Sequence, residues 1–311
     1  MKKIFLLCTL FCAMMLLLSP NPALAQVGPA LWVSATGSDA NACSQAAPCA
    51  TFQGAINKGG AAQINCLTSG NYGAFTVTRT LVVDCGTGNI GNILVSTQVS
   101  AITITATFGI TVTLRHLSLN GLGATAMHGI DASSFFGGML IVEDCTIHDF
   151  TDGNGIFFSP TSSRGLLQVT NTQVYNNDWG IFVSPASGQI ATVSLSHVEV
   201  LTGNNGGVAL TGNGVVAGAM HDSIVGGARD HGVFSNAGQA FFTVESSMII
   251  ANIGPGIATQ SSGSVINVGS STIGANGTGI LAQSGSIISF GNNQISANGA
   301  DGSFTSTTTL K

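Results

Sequence analysis

The run Val265-Ile266-Asn267-Val268-Gly269-Ser270-Ser271-Thr272-Ile273-Gly274-Ala275-Asn276-Gly277-Thr278-Gly279-Ile280 carries three marks that decide the fold. It opens on a strand-like run from Val265 to Ile273, sets Asn276 three residues after Ile273, and closes on a glycine followed by isoleucine. Each mark recurs. Glycine followed by Ile or Val stands at Gly129, Gly155, Gly180, Gly207, Gly232, Gly256 and Gly279, at intervals of 26, 25, 27, 25, 24 and 23 residues. Strand-like runs precede the last six of these: Leu140 to Ile147, Leu167 to Val174, Val193 to Val200, Ile224 with Val225, Phe242 to Ile250, and Val265 to Ile273. A period in the twenties with two or three short strands per unit fits one coil of a solenoid whose strands stack about 4.8 Å apart, each unit covering the apolar face of its neighbour.

The expected fold is therefore all-β: a single-stranded, right-handed parallel β-helix. Its glycines serve corners that need positive φ or a close approach of backbone. The spacing of Ile or Val three residues before Asn, at Val174/Asn177, Ile249/Asn252, Ile273/Asn276 and Ile295/Asn298, predicts a ladder of left-handed asparagines along the axis. A leucine-rich repeat shares the period but needs several leucines per unit, and Ser264 to Gly285 holds one; tandem Gly-Gly-x-Gly-x-Asp repeats are also missing. A solenoid must cover its ends. Pro48 to Lys58, with Phe52, Ala55 and Ile56 on one face, is read as a short capping helix.

Residues 1–25 read as an export signal: Lys2 and Lys3, an apolar run to Leu18, then Ala23-Leu24-Ala25. The expected division is signal 1–25, N-terminal segment and cap 26–60, parallel β-helix 61–300, and a polar tail 301–311. Beyond Ala25 no apolar stretch reaches the roughly 20 residues a spanning helix needs, so the mature chain is expected in the periplasm or the extracellular medium and not inserted in a membrane. Of 8 basic and 13 acidic residues, the signal removes two lysines and no acid, leaving a formal charge of −7. Nucleic acid, which demands clustered Lys and Arg, is excluded as a partner. Export favours disulfides over metal ligation, with Cys43 paired to Cys49 across a five-residue loop and Cys66 to Cys85. Cys145, flanked by Ile141, Val142 and Ile147, is left as a small buried hydrophobe.

The segment Trp32-Val33-Ser34-Ala35-Thr36-Gly37-Ser38-Asp39, with Pro48-Cys49-Ala50-Thr51-Phe52 and Ala55-Ile56, resembles the opening of bacterial secreted right-handed β-helix repeat proteins of the pectate-lyase-like group. The later coils resemble the same group. That resemblance implies the fold; for activity it spans polysaccharide lyases, hydrolases and epimerases.

Aligned on the repeated glycine, one corner gathers polar residues: Asp178 and Asp230 two positions before it, Asp152 and Arg229 three before, and His128, Asn154, Trp179 and His231 one before. Asp178 and Asp230, two coils or about 9.6 Å apart, suit an acid and base pair, with His231 or Arg229 steadying a uronate and Trp179 stacking on a sugar. Tyr175 and Asp152 complete the candidate substrate-binding set. Asp and Asn also populate any such corner because they bond nearby backbone. His148, Asp149 and Asp152, or His221 with Asp222, could ligate a metal, but no His or Cys spacing of the zinc type occurs; neither a metal nor another cofactor is expected. Where polygalacturonase-like hydrolases carry Asn-Thr-Asp this chain has Asn171-Thr172-Gln173, and where they carry Gly-His-Gly it has Asp230-His231-Gly232. The leading expectation is an extracellular β-helix that binds a polysaccharide, a cell-surface glycan or another surface partner without turnover. A lyase or hydrolase is the alternative, and a structural or adhesive protein the third.

Overall fold

The computed structural model describes residues 30–86, 88–105, 109–123 and 127–308. The export signal lies outside them. All strand pairings are parallel, and the strands form a ten-stranded sheet and a twenty-stranded one that turns a corner to give two further faces. The chain is a right-handed parallel β-helix. One coil shows the plan: a short-sheet strand Trp179–Val183, then the long strand Ile190–Leu201, bent at its middle so that its first half lies in the second face and its last residues in the third.

The interior is built of columns, one side chain per coil. Val112, Leu140, Leu167, Val193, Phe242, Ile266 and Ile287 share one column, interrupted by Gly218, and all but the glycine are buried. Each such side chain contributes about 1.5–3 kcal/mol through burial.

The repeated glycines prove to need close approach, not positive φ. None of the seven is in the left-handed region. A Cβ on Gly155 would lie 2.6 Å from the carbonyl oxygen of Gly180, one on Gly180 2.9 Å from that of Gly207, and one on Gly207 2.7 Å from that of Gly232. Left-handed backbone recurs instead at other glycines, such as Gly188 and Gly212, and in two series of mostly non-glycine residues at the corners that bound the third face. His116, Asp144, Asn171, His197, Asp222, Ser246 and Ser270 form the first, and Asp149, Asn176, Thr202, Gly227, Ala251 and Ala275 the second. The second corner follows the first by five residues in each coil from Asp144 onward, whereas successive first corners are 28, 27, 26, 25, 24 and 24 residues apart. The coils shorten toward the C-terminus, and the shortening lies outside the bend.

The asparagine ladder differs from expectation in two respects. Ala251, Ala275 and Ala297 adopt the left-handed conformation, and the asparagine follows them, turned inward. Asn252 Nδ2 donates to Asn276 Oδ1 (2.8 Å), and Asn276 Nδ2 to Asn298 Oδ1 (3.0 Å). Asn177 stands apart, donating to the Ile147 carbonyl, because Gly203 and Ala228 occupy the intervening coils. A second inner ladder is made of hydroxyls: the Ser223 and Ser247 backbone N–H groups donate to the Oγ of Ser247 and Ser271 in the next coil. Cys145 occupies the same column. Its N–H donates to Thr172 Oγ1, and its thiol lies 3.1 Å from the Glu143 carbonyl, as Ser247 Oγ bonds Glu245.

At the N-terminal end, strand Ala30–Val33 pairs with Gln63–Cys66. The helix between them is shorter than expected. It spans Phe52–Asn57 with Thr51 as N-cap, its Oγ1 accepting from the Gly54 N–H, and Pro48 lies outside it. Asp39 fixes that start by accepting from the N–H groups of Ala50 and Thr51. The Phe52 ring packs on Tyr72 and Phe75 at centroid distances of 4.9 and 5.1 Å. Cys43 is bonded to Cys49 and Cys66 to Cys85, and Cys145 is free and buried. Among the described residues no helix is long and apolar enough to cross a membrane.

Candidate functional site

The outer face of the short sheet carries a ridge of rings. In strand Trp179–Val183 the side chains of Ile181 and Val183 enter the core, so Phe182 between them faces out. In register beside Phe182 stand Phe157 in one neighbouring coil and Ala209 then Phe234 on the other side. Ring centroids run His128–Phe157 5.0 Å, Phe157–Phe182 5.6 Å, Phe182–Trp179 6.0 Å, Trp179–Phe234 6.0 Å and Phe234–His231 4.5 Å. Trp179 and His231, two coils apart, lie nearly parallel at 6.4 Å. Gly206, the residue between them, makes this possible: a Cβ there would sit 2.1 Å from the indole. The tryptophan leans across a coil that offers it no side chain.

Carboxylates flank the ridge. Asp178 accepts from the Asn205 side-chain amide at 2.7 Å, and its carbonyl accepts from the Asn205 and Gly206 N–H groups. Burial pushes its carboxyl above the usual range; the Asn205 bond opposes this, the Asp152 charge adds to it, and His128 subtracts from it. Burial likewise holds His128 below the ordinary imidazole value, against the pull of Asp131 and Asp178. The Asn154 N–H donates to His128 Nδ1 at 3.0 Å, so that nitrogen carries no proton. His231 is also lowered by burial, with Asp230 opposing. Its Nδ1 lies 3.0 Å from Asp230 Oδ2 but off the line a hydrogen bond needs, and among the described residues this buried nitrogen has no partner.

Asp152, Asp178, Trp179, Asp230 and His231 therefore share one flank of the solenoid. Arg229 adjoins them, exposed, and makes no ion pair among the described residues. Tyr175 does not. It ends the third-face part of strand Arg164–Tyr175, and the left-handed corner at Asn176 separates it from Trp179. Its ring stacks on His148 at 4.8 Å. His148 donates to Asp149 (2.8 Å) and His221 to Asp222 (3.0 Å), so each histidine considered as a metal ligand is bonded to its own neighbour. No three His, Cys, Asp or Glu side chains converge as metal ligands among the described residues.

Sequence reasoning passed over Asp131, Phe157, Phe182, Phe234 and Asn205. Four of these were within its reach, since Asp131, Phe157, Phe182 and Phe234 stand two residues after a repeated glycine and alternate with core positions. Asn205 had no such signal.

No protein-family model and no curated protein matches the sequence. Among solved structures, pectate lyase Pel9A superposes over 88% of this chain and 78% of its own, with a TM-score of 0.59 at 14% identity. The A-module of mannuronan C-5 epimerase AlgE6 from Azotobacter vinelandii covers 84% of this chain and 73% of its own, with a TM-score of 0.49 at 15% identity. The AlgE4 A-module of the same organism covers 90% and 100%, with a TM-score of 0.42 at 13% identity. The likeness to Pel9A is one of fold, that of a pectate-lyase-like right-handed β-helix.

Proposed function

We propose that this protein is a secreted glycan-binding β-helix that holds a neutral polysaccharide against the ridge on its short sheet. Trp179, Phe182 and His231 make the apolar contact, and Asp152, Asp178, Arg229 and Asp230 supply flanking polar groups. Removal of residues 1–25 near Ala25 precedes release, in keeping with two disulfides, which require an oxidising compartment. The observation that carries the reading is the continuity of the ridge. Rings from His128 to Phe234 follow one another across five coils, roughly 19 Å at the strand spacing, with carboxylates that disfavour an anionic polymer.

Retention of the mature chain on an immobilised panel of neutral and acidic polysaccharides tests it. Trp179→Ala should weaken retention about tenfold, near 1.4 kcal/mol. Gly206→Ala should do the same by displacing the indole, with Trp fluorescence shifting in step. The reading fails if no neutral polysaccharide retains the wild-type chain, or if both variants are retained undiminished.

One observation favours a second reading, a polysaccharide lyase or glycoside hydrolase. A carboxyl held up by burial and by the charge of a neighbouring carboxylate, Asp178 beside Asp152, is a proton donor and acceptor in one place. Release of reducing or unsaturated ends that Asp178→Asn abolishes while retention persists would establish turnover.

A further inference from the structure

A groove of about 460 Å³ opens on the third face, away from the ridge. Its floor is a register of three polar side chains, Asn92, Ser118 and Thr146, one from each successive coil. One wall is the left-handed corner, where His116 and Asp144 hold φ of +54° and +52°. The other is the segment that carries Asn89 and Ile90, whose side chain is 51% exposed.

His116 is held by its own carboxylate. Its Nδ1 donates to Asp84 Oδ1 at 2.8 Å, and the same oxygen accepts from the Gly86 N–H, so Asp84 is fixed in turn. A neutral histidine donating through Nδ1 has Nε2 as an acceptor, and here that nitrogen stands at the groove wall, 3.8 Å from Asp144 Oδ2. A hydroxyl placed there could donate to Nε2 while a second donates to Asp144, and amides and hydroxyls on the floor can either donate or accept. This pattern complements a polyol.

Charge sets the class further. The nearby cation, Arg115, is engaged by Glu143, which leaves Asp84 and Asp144 to set the sign of the groove. An anionic sugar would be repelled. Ile90 offers the exposed apolar contact that the C–H face of a sugar ring needs. We propose that this groove binds a neutral saccharide unit, with His116 and Asp144 as hydroxyl acceptors and Asp84 as the residue that positions His116. It is a site separate from the short-sheet ridge, and it would stand even if the ridge bound nothing.

The test follows the six imidazoles of the ¹⁵N-histidine-labelled mature chain by NMR during titration with neutral oligosaccharides of glucose, xylose and mannose, with oligogalacturonate as the charged control. Saturable movement of the His116 Nε2 resonance by a neutral sugar is expected, at least tenfold weaker in Asn92→Ala. His116→Asn, which tolerates the left-handed corner, should abolish the floor response, read at the Thr146 methyl. Trp179→Ala should leave the His116 response intact, whereas movement confined to His231 supports the ridge and overturns the groove. Equal movement by oligogalacturonate, or none by any neutral sugar at millimolar concentration, also overturns it. Should His116→Asn unfold, Thr146→Val, which keeps the shape and removes the hydroxyl, must weaken the response for the proposal to survive.

Discussion

At the scale of the residue, three titrating groups on the short-sheet flank set a pH dependence whose sign can be worked out. His128 and His231 are lowered by burial, so below the ordinary imidazole value of 6.5 the unfolded chain binds more protons than the folded one. Their contribution to stability is complete above pH 6.5 and is lost as pH falls. Asp178, raised by burial, works in the opposite sense: above the ordinary value of 3.8 the folded chain holds the extra proton, and stability is lost as pH rises through its elevated value. Urea midpoints should therefore drop between pH 7 and pH 5, and a His128→Gln/His231→Gln double variant should flatten the drop. Asp178→Asn should raise the midpoint at pH 7, since its Oδ1 can still accept from Asn205. A drop undiminished in the double variant would refute the assignment.

At the scale of the element, the inner ladders separate two changes that look alike on paper. Cys145→Ser should cost less than about 1 kcal/mol, because the hydroxyl column supplies the donor and acceptor positions a serine needs. The thiol, pushed up to about 12 by burial, is a ladder member and not a nucleophile. Thiol titration of the denatured, unreduced mature chain should count one. Asn276→Ala should cost roughly 2–3 kcal/mol, since it strands the Asn252 side-chain amide and backbone N–H and removes a donor from the Ile249 carbonyl; chemical denaturation reads both.

These same elements show where sequence is legible. The repeated glycines announced the coil because close backbone approach accepts no other residue. The left-handed corners were silent: His, Asp, Asn, Thr, Ser and Ala all hold that conformation there, imposed by stacking and not by residue preference. The candidate site suffered for it. Tyr175 and Trp179 are four residues apart in sequence, yet an unannounced corner at Asn176 sends them to different faces. His116 and Asp84, 32 residues apart, meet only because their coils are neighbours.

At the scale of the whole molecule, each coil touches chiefly the coils beside it, so stability should be graded along the axis. The last strands, Gln294–Ser296, Ala300–Gly302 and Ser306–Thr307, are largely exposed, whereas Arg164–Tyr175 and Ile190–Leu201 run unbroken around the bend. Hydrogen exchange followed by mass spectrometry should find the fastest amides from 294 to 307 and the slowest from 164 to 201. Equal protection over both segments would mean that the solenoid opens as one unit.

The shortening of the coils bears on how such a chain avoids misthreading. Equal repeats can slip by one and still pair every strand, because each would meet a partner of the same length. Here, up to the last two coils, which are both 24 residues long, a slipped coil would meet a neighbour with a residue too many or too few between its corners, since those lengths fall one by one from 28 to 24. The longer coils thus each carry an address of their own, and the grading keys the chain to one alignment.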